Sequence, residues 1–125
     1  MRCLIIAREL AKADPTADIR FLDGGGLRKA ASRALAEAKR GEIDAVIAGG
    51  GDGSIRAVAG VLAGTGVPVG VIPLGTLNHF ARDLGLPLHV EDAAAIIGSG
   101  QTRMIDLGEV NGEIYANTLT LKTAS

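Results

Sequence analysis

The sequence predicts an α/β fold in which helices cover both faces of a parallel sheet. Short apolar runs of strand length alternate with segments of helical periodicity along most of the chain. The runs are rich in Val and Ile, which is typical of parallel strands buried on both faces. Polar, glycine-rich corners follow two of these runs directly. Together these observations predict a three-layer arrangement of helix, sheet and helix.

Length and composition predict a single domain over residues 1–125. The hydrophobic fraction of 47% is sufficient for a core. With 13 Lys and Arg against 14 Asp and Glu, the chain lacks the basic field on which binding to a nucleic-acid backbone depends. An aromatic fraction of 2% also argues against a platform for stacking single-stranded bases. We therefore expect no nucleic-acid partner.

Cysteine usage and hydropathy predict a cytoplasmic protein. Cys3 is the single cysteine of the sequence, so it has no second thiol for a disulfide. No apolar run reaches the roughly 18 residues that a bilayer-spanning helix needs.

The order of the elements follows from the alternation of apolar runs and helical stripes. Helices are predicted where apolar residues recur at three- and four-residue spacing and where Gly or Pro marks the end. The expected order is strand Cys3–Ala7, helix Arg8–Ala13, strand Ile19–Leu22, helix Leu27–Arg40 stopping at Gly41, strand Ala45–Ala48, helix Ser54–Ala63, strand Val67–Ile72, a helix with Leu77, Phe80, Ala81 and Leu84 on one face, and a short helix from Glu91.

The last part of the chain predicts a β-hairpin. Asn111 and Gly112, a strong two-residue hairpin signal, lie between the apolar segments Met104–Val110 and Glu113–Leu119. We expect the chain to leave the parallel sheet here for an antiparallel ribbon.

Two glycine-rich corners predict one phosphate site. The first corner, residues 49–54, reads Gly-Gly-Gly-Asp-Gly-Ser, and the second corner, residues 73–76, reads Pro-Leu-Gly-Thr. Each follows a predicted strand, so both should emerge at the carboxyl edge of the sheet, where open α/β sheets bind ligands. Glycines let the backbone approach a phosphate, and the following helix start supplies free N–H groups. A tight turn alone would not require four glycines around one carboxylate.

The two corners together resemble one family of kinases. The segment Gly50–Ser54 resembles the Gly-Gly-Asp-Gly-Ser/Thr signature shared by diacylglycerol kinases, sphingosine kinases, NAD kinases and phosphofructokinases. The segment Pro73–Gly85 is similar to the bacterial diacylglycerol kinase-like lipid kinases and not to the NAD kinases or phosphofructokinases. The resemblance implies the amino-terminal domain of the NAD kinase/diacylglycerol kinase-like fold.

The same resemblance implies an ATP site between the corners. The expected ligand contacts come from the glycine cluster that begins at Gly49, with Gly50, Gly51, Gly53 and Ser54 at the phosphates and Gly75, Thr76 and Asn78 completing the nucleotide pocket. The implied reaction transfers the γ-phosphoryl group of ATP, with Mg²⁺, to the hydroxyl of a diacylglycerol-like or sphingoid-like lipid.

Asp52 is the predicted catalytic residue. A carboxylate beside a polyphosphate is repelled unless it binds Mg²⁺, takes a proton or is held by donors. Asp52 is therefore expected either to orient the metal or to accept the proton of the substrate hydroxyl, and the sequence leaves both roles open. The alternative is that Asp52 only caps the helix beginning near Ser54.

The residues at and after the second corner could have structural roles instead of binding a ligand. Thr76 and Asn78 are also good helix caps, and one side chain can cap a helix and contact a ligand. Phe80 is expected in the core, His79 at the surface and Arg82 on a solvated helix face.

The resemblance covers Ile19–Glu113 and not the whole of the family pattern. The Asn-Pro-x-Ser-Gly nucleotide loop of the family is not found at Met1–Arg8, and the sequence contains no β-rich lipid-binding second domain after the hairpin. We therefore expect an incomplete kinase, with any membrane contact made through the missing domain.

Three alternative functions stay open on the sequence. One is a non-catalytic module that binds ATP or another phosphate ligand. Another is a soluble kinase of the NAD kinase or phosphofructokinase type. The third is a structural fragment that forms oligomers through the exposed edge of the Asn111–Gly112 hairpin.

Overall fold

The computed structural model describes residues 2–17, 26–110, 113–114 and 118–123. Their elements alternate as expected for an α/β domain. In chain order they are α1 (Arg2–Ala13), α2 (Leu27–Lys39), β1 (Val46–Gly50), α3 (Asp52–Leu62), β2 (Val69–Pro73), α4 (His79–Asp83), α5 (Val90–Gly98), β3 (Thr102–Asp106), β4 (Glu109–Val110), β5 (Glu113–Ile114) and β6 (Thr118–Lys122).

The main sheet has four strands in the order β1-β2-β6-β3. Strand β2 is parallel to β1 and to β6, and β3 is antiparallel to β6. The register of the first pair runs from Val46 opposite Val69 to Gly50 opposite Pro73. Pro73, the first residue of the second corner, is therefore paired with Gly50 of the first corner at one edge of the sheet.

Helices pack on both faces of the sheet, which confirms the predicted layers. In the fully buried strand β2, Val69 and Val71 belong to a core that includes Ile55 of α3. Ile72, which points the other way, packs in a second core with Ile97 of α5. This alternation is the two-residue period of a strand between two apolar layers.

The expected strand at Cys3–Ala7 is wrong, because α1 is one continuous helix from Arg2 to Ala13. A five-residue apolar run fits a buried strand and a buried helix equally well, so packing decides between them. Helix α1 lies against α5, with Leu10 only 4% exposed in the core that contains Ile97. The expected strand Ile19–Leu22 lies outside the described residues.

The predicted hairpin is present, with Glu109 opposite Ile114 and Val110 opposite Glu113. The antiparallel ribbon continues through β3 and β6, but the expectation that it leaves the parallel sheet is wrong. Strand β6 returns to the main sheet between β2 and β3, where Leu119 and Leu121 are fully buried. Pairing with β2 buries both leucines, which a separate two-stranded ribbon would leave in water.

Within the described ranges, every helix is too short or too polar to cross a bilayer.

The contact between β2 and α5 can be tested at Gly70. A Cβ atom built on Gly70 would lie 2.7 Å from Cγ1 and 2.9 Å from Cδ1 of Ile97. Because the interior is close-packed, we expect Gly70→Ala to lower the free energy of unfolding by about 1–3 kcal/mol, as overpacking does. Urea denaturation measures the change.

Gly108→Ala is the matched control for Gly70→Ala. A Cβ atom on Gly108 would meet nothing within 4 Å, so the same added methyl group should leave the unfolding free energy nearly unchanged. Equal effects of the two substitutions would show that α5 does not pack on β2 as described.

Candidate functional site

The structure brings the two glycine corners into direct contact. Beyond the paired residues Gly50 and Pro73, the N–H of Leu74 donates to the carbonyl oxygen of Gly50 at 2.8 Å. A Cβ atom on Gly75 would lie 2.8 Å from the Cα atom of Gly51. The chain can approach itself this closely because Gly75 has no Cβ atom.

The first corner contains one position that demands glycine for its conformation. Gly50 has φ +155°, and a Cβ atom there would lie 2.9 Å from Cβ of Ser54. Gly51 has φ −84° and is the N-cap residue of α3, while Gly49 and Gly53 are exposed. The cluster therefore leaves open backbone around the start of a helix.

Helix α3 presents its amino end at this edge. Its first intrahelical bond runs from the N–H of Ile55 to the carbonyl oxygen of Gly51 at 3.0 Å. The preceding N–H groups have no acceptor within the helix, and Gly51 has no side chain with which to cap them. Free donors and the positive end of the helix dipole make this position suited to an anion.

Asp52 links α3 to α4 through both carboxylate oxygens. Oδ2 accepts the backbone N–H of His79 at 2.9 Å, and Oδ1 accepts that of Phe80 at 2.8 Å. These are the first two residues of α4, so Asp52 caps α4 from outside. The alternative that Asp52 caps the helix near Ser54 is wrong, because Asp52 is itself the first residue of α3.

The same contacts change the acidity of Asp52. The hydrogen bond from the Phe80 amide holds the pKa of the carboxyl below its ordinary value, against an opposing effect of burial. The His79 amide and the positive charge of Arg56 lower this pKa further. Asp52 is therefore ionised at neutral pH and is a weaker base than a free aspartate, so these contacts favour orientation over proton acceptance.

Asn78 holds the turn after the second corner in shape. It is 8% exposed and has the left-handed backbone conformation, with φ 53°. Its Oδ1 accepts the N–H of Gly75 at 2.9 Å, and its Nδ2 donates to the carbonyl oxygen of Gly75 at 3.0 Å. Asn78 occupies the N-cap position of α4 without a side-chain cap bond. Its carboxamide thus positions Gly75, a role that the sequence did not suggest.

The residues around Asn78 lie partly as expected. Thr76 is exposed at the corner, His79 is exposed and Phe80 packs against the larger core. Leu77, expected on the apolar stripe, is 60% exposed because α4 begins only at His79. Arg82 is exposed, as expected, and its Nε donates to the Leu77 carbonyl oxygen at 2.8 Å.

A cavity of about 160 Å³ opens beside the link between Asp52 and α4. Arg56 and Asp83 contribute charged groups to its lining. Neither residue was predicted from the sequence to have a role. For Arg56 the sequence did contain a signal in its spacing. Arg56 follows Asp52 by four residues, so the two side chains lie on the same face of α3.

The residues present fit phosphate groups better than they fit a metal ion alone. Open glycine backbone and the free amino end of α3 are suited to phosphate oxygens. In the part of the chain that the structure describes, no three His, Cys, Asp or Glu side chains cluster closely enough to hold a metal. A Mg²⁺ ion that uses one protein carboxylate and several phosphate oxygens is compatible with this arrangement.

Proteins named as lipid kinases are similar to this chain in sequence and in fold. The chain is 41% identical over 123 residues to a Pseudomonas aeruginosa protein named “Probable lipid kinase YegS-like”, covering 96% of this chain and 38% of the relative. It is 44% identical over 90 residues to the diacylglycerol kinase of Bacillus subtilis, covering 70% of this chain and 30% of that enzyme. The crystal structure of a candidate diacylglycerol kinase from Bacillus anthracis matches with a TM-score of 0.64 at 30% identity, covering 83% of this chain and 38% of that one.

The fold and the site together define the class of protein. It is an α/β domain with two glycine corners in contact at the carboxyl edge of a mostly parallel sheet. The chain belongs to the diacylglycerol kinase catalytic domain family, whose model matches residues 6–110. This confirms the resemblance drawn from the two corners. The chain spans 38% of the length of the Pseudomonas aeruginosa relative.

The cap that Asp52 provides can be measured as stability. Asp52→Ala leaves the N–H groups of His79 and Phe80 without their acceptors, and loss of a helix cap costs about 0.5–2 kcal/mol. We expect the free energy of unfolding, measured by urea denaturation at neutral pH, to fall by an amount in this range. His79→Ala is the matched control, because it keeps the backbone N–H that Asp52 accepts; the exposed imidazole that it removes has the smallest of the effects on the pKa of Asp52.

The loss of stability caused by Asp52→Ala should also depend on pH. Because the folded chain lowers the pKa of Asp52 below its ordinary value of 3.8, the stabilisation is complete above that value and declines as the pH falls through the folded pKa. The stability gap between wild type and Asp52→Ala should therefore narrow below about pH 4. A gap that stays constant down to about pH 2 would contradict a role for the charged carboxylate.

Gly75 and Gly51 provide a paired test of the contact between the corners. Gly75→Ala places a Cβ atom 2.8 Å from backbone of Gly51, whereas Gly51→Ala places one 3.7 Å from Gly75 Cα, an ordinary contact. We expect Gly75→Ala to lower the unfolding free energy by about 1–3 kcal/mol and Gly51→Ala to have the smaller effect. Thermal or urea denaturation decides the order, and the reverse order would rule out the described approach.

Proposed function

We propose that this chain is the nucleotide-binding part of an ATP-dependent lipid kinase, which transfers the γ-phosphoryl group of ATP to a lipid hydroxyl. Membership of the diacylglycerol kinase catalytic domain family supports the proposal. So do the lipid kinase names of its relatives. The observation that carries it is the direct contact between two glycine corners at the open amino end of α3.

In this proposal the phosphates of ATP bind at the first corner. The backbone of Gly49, Gly50, Gly51 and Gly53 and the residue Ser54 surround the start of α3 and would donate N–H groups to phosphate oxygens. Gly75 and Thr76 form the opposite wall, which Asn78 keeps in place through its two bonds to Gly75. The nucleotide thus lies across the edge shared by β1 and β2.

Bound Mg²⁺ would supply charge neutralisation for the transferring phosphoryl group. Asp52 is the carboxylate beside this site, and each of its oxygens already accepts one N–H. A carboxylate oxygen has further lone pairs, so Asp52 can orient a metal while it caps α4. Its lowered pKa makes this role a better match than abstraction of the acceptor proton.

Efficient transfer also requires that the acceptor be held in line with the phosphate. Orientation of the reactants can supply about 7–11 kcal/mol of the barrier. The relatives are much longer than the matched region, and we propose that segments outside it hold most of the lipid. The working location would be the cytoplasm at the inner face of the membrane, with peripheral contact through those segments.

A second candidate is a nucleotide-binding module without catalysis. One observation favours it, the use of both Asp52 oxygens as a helix cap, which leaves the carboxylate weakly basic. Binding of ATP without turnover in the full-length protein would favour this alternative over a kinase.

Titration of Mg²⁺-ATP by calorimetry tests the proposal. We expect the wild-type chain to bind, and Asp52→Asn to bind about tenfold more weakly, equivalent to about 1.4 kcal/mol, because the amide removes the charge and one acceptor. His79→Ala should bind like wild type, since it preserves the N–H that Asp52 accepts.

Two results would count against the nucleotide site. Absence of Mg²⁺-ATP binding by the folded wild-type chain would remove the proposed function. Identical titration curves for wild type and Asp52→Asn would show that Asp52 does not contribute to the site, although ATP binding itself would stand.

A further inference from the structure

We propose that Arg82 is a phosphate-binding residue, whose guanidinium contacts the phosphate chain of the bound nucleotide beside the second corner. This inference rests on the proposed function and deepens it, because it adds a cationic side chain to a site made of backbone groups and one carboxylate. Arg82 belongs to the short helix α4 and is exposed.

The two corners contain no cationic side chain of their own. Residues 49–54 and 73–76 include no Lys or Arg, and their one charged residue is Asp52, which is negative. The triphosphate of ATP is a polyanion, so it is repelled by this carboxylate unless positive charge lies close to both. Backbone N–H groups and the helix dipole contribute only partial charges. Mg²⁺ can supply part of the positive charge, and an arginine from a neighbouring element can supply more.

The side chain of Arg82 extends back toward the second corner. Side chains on a helix lean toward its amino end. The Nε of Arg82 donates to the carbonyl oxygen of Leu77, five residues earlier, at 2.8 Å. Leu77 directly follows Thr76, the last residue of the second corner. The guanidinium therefore lies at the amino end of α4, against the segment that forms one wall of the proposed phosphate site.

Contacts on both sides of Leu77 hold this segment against the first corner. Before Leu77, the backbone of Gly75 is so close to Gly51 that a Cβ atom on Gly75 would lie 2.8 Å from the Cα atom of Gly51. After Leu77, the N–H of His79 donates to Asp52 at 2.9 Å. Leu77 is two residues from each contact, so its Cα atom lies within about 8 Å of the Cα atoms of Gly75 and His79. A group bonded to its carbonyl oxygen is thus near the start of α3, where we place the phosphates.

The guanidinium of Arg82 is suited to a phosphate. The bond to Leu77 uses Nε alone. A guanidinium has further N–H donors on its two terminal nitrogens, and its planar fork matches two oxygens of one phosphate. Because Arg82 is exposed, a ligand can reach the side chain from solvent. The bond from Nε also limits the rotamers of the side chain, so less conformational entropy is lost when a phosphate binds.

Calorimetric titration of Arg82→Gln with Mg²⁺-ATP and with Mg²⁺-tripolyphosphate tests this role. Tripolyphosphate presents a phosphate chain without a base, so a phosphate contact should matter equally for both ligands. We expect Arg82→Gln to weaken both about tenfold, because a charge-assisted bidentate contact is lost. Arg33→Gln is the matched control. It removes an equally charged, exposed arginine from α2, which contributes to neither corner, and should bind both ligands like wild type.

Arg82→Lys separates a phosphate contact from a role limited to holding Leu77. Lysine keeps the positive charge but has neither Nε–H nor the planar fork. We expect Arg82→Lys to bind both ligands about threefold more weakly than wild type, between wild type and Arg82→Gln. Raising the salt concentration should also weaken binding more for wild type than for Arg82→Gln, because salt screens the lost charge. Equal losses for Lys and Gln, with equal salt effects, would show that Arg82 only holds the turn.

The ¹H–¹⁵N NMR spectrum shows whether each variant keeps the wild-type fold, and Arg82→Lys carries the test if Arg82→Gln does not fold. Wild-type affinity of a folded Arg82→Gln for both ligands, or a loss for Mg²⁺-ATP alone, would overturn the phosphate contact. In either case the proposed nucleotide site would stand, because the wild-type chain still binds Mg²⁺-ATP. Absence of Mg²⁺-ATP binding by wild type would remove the proposed function and this inference together.

Discussion

Two hydrogen bonds from the start of α4 to the carboxylate of Asp52 hold the candidate site together. They join α3 to α4 at the sheet edge where both helices begin, and they bring together residues 27 and 28 positions apart in the chain. The bonds are charge-assisted, so they are stronger than bonds between neutral groups. Because α4 has only five residues, it depends on such external contacts for its stability. The orientation of the second corner therefore depends on a side chain of the first.

These two hydrogen bonds also determine which chemical role suits Asp52. A carboxylate that accepts two backbone N–H groups is stabilised in its charged form, which suits a fixed negative group beside a cation and weakens it as a base. The glycine corners supply backbone groups, and Asn78 fixes the backbone of the second corner through its two hydrogen bonds to Gly75. Two charged side chains, Arg56 and Asp83, lie instead around the neighbouring cavity. Backbone donors and side-chain groups thus occupy adjacent parts of one surface.

The fold was predictable where local signals agreed. The stripe at 27–38 and its stop at Gly41 predicted α2, and the buried strand 67–72 predicted β2, both to within two residues at either end. Prediction failed at residues 3–7, where a short apolar run suits a strand or a helix and only packing against α5 selects the helix. It also missed that β6, besides pairing with its hairpin neighbour β3, pairs on its other edge with the distant β2. Both failures concern contacts between segments far apart in the chain.

The sequence by itself determined the alternation of strands and helices, the two glycine corners and the family to which they belong. Each of these depends on neighbouring residues, since a missing Cβ or a strand followed by a helix start is a local property. Only the tertiary structure decided which groups Asp52 and Asn78 bind, that Leu77 is exposed, and that Arg56 and Asp83 share a cavity. Sheet register and helix packing set those distances, and neither can be deduced from the order of residues within a single element.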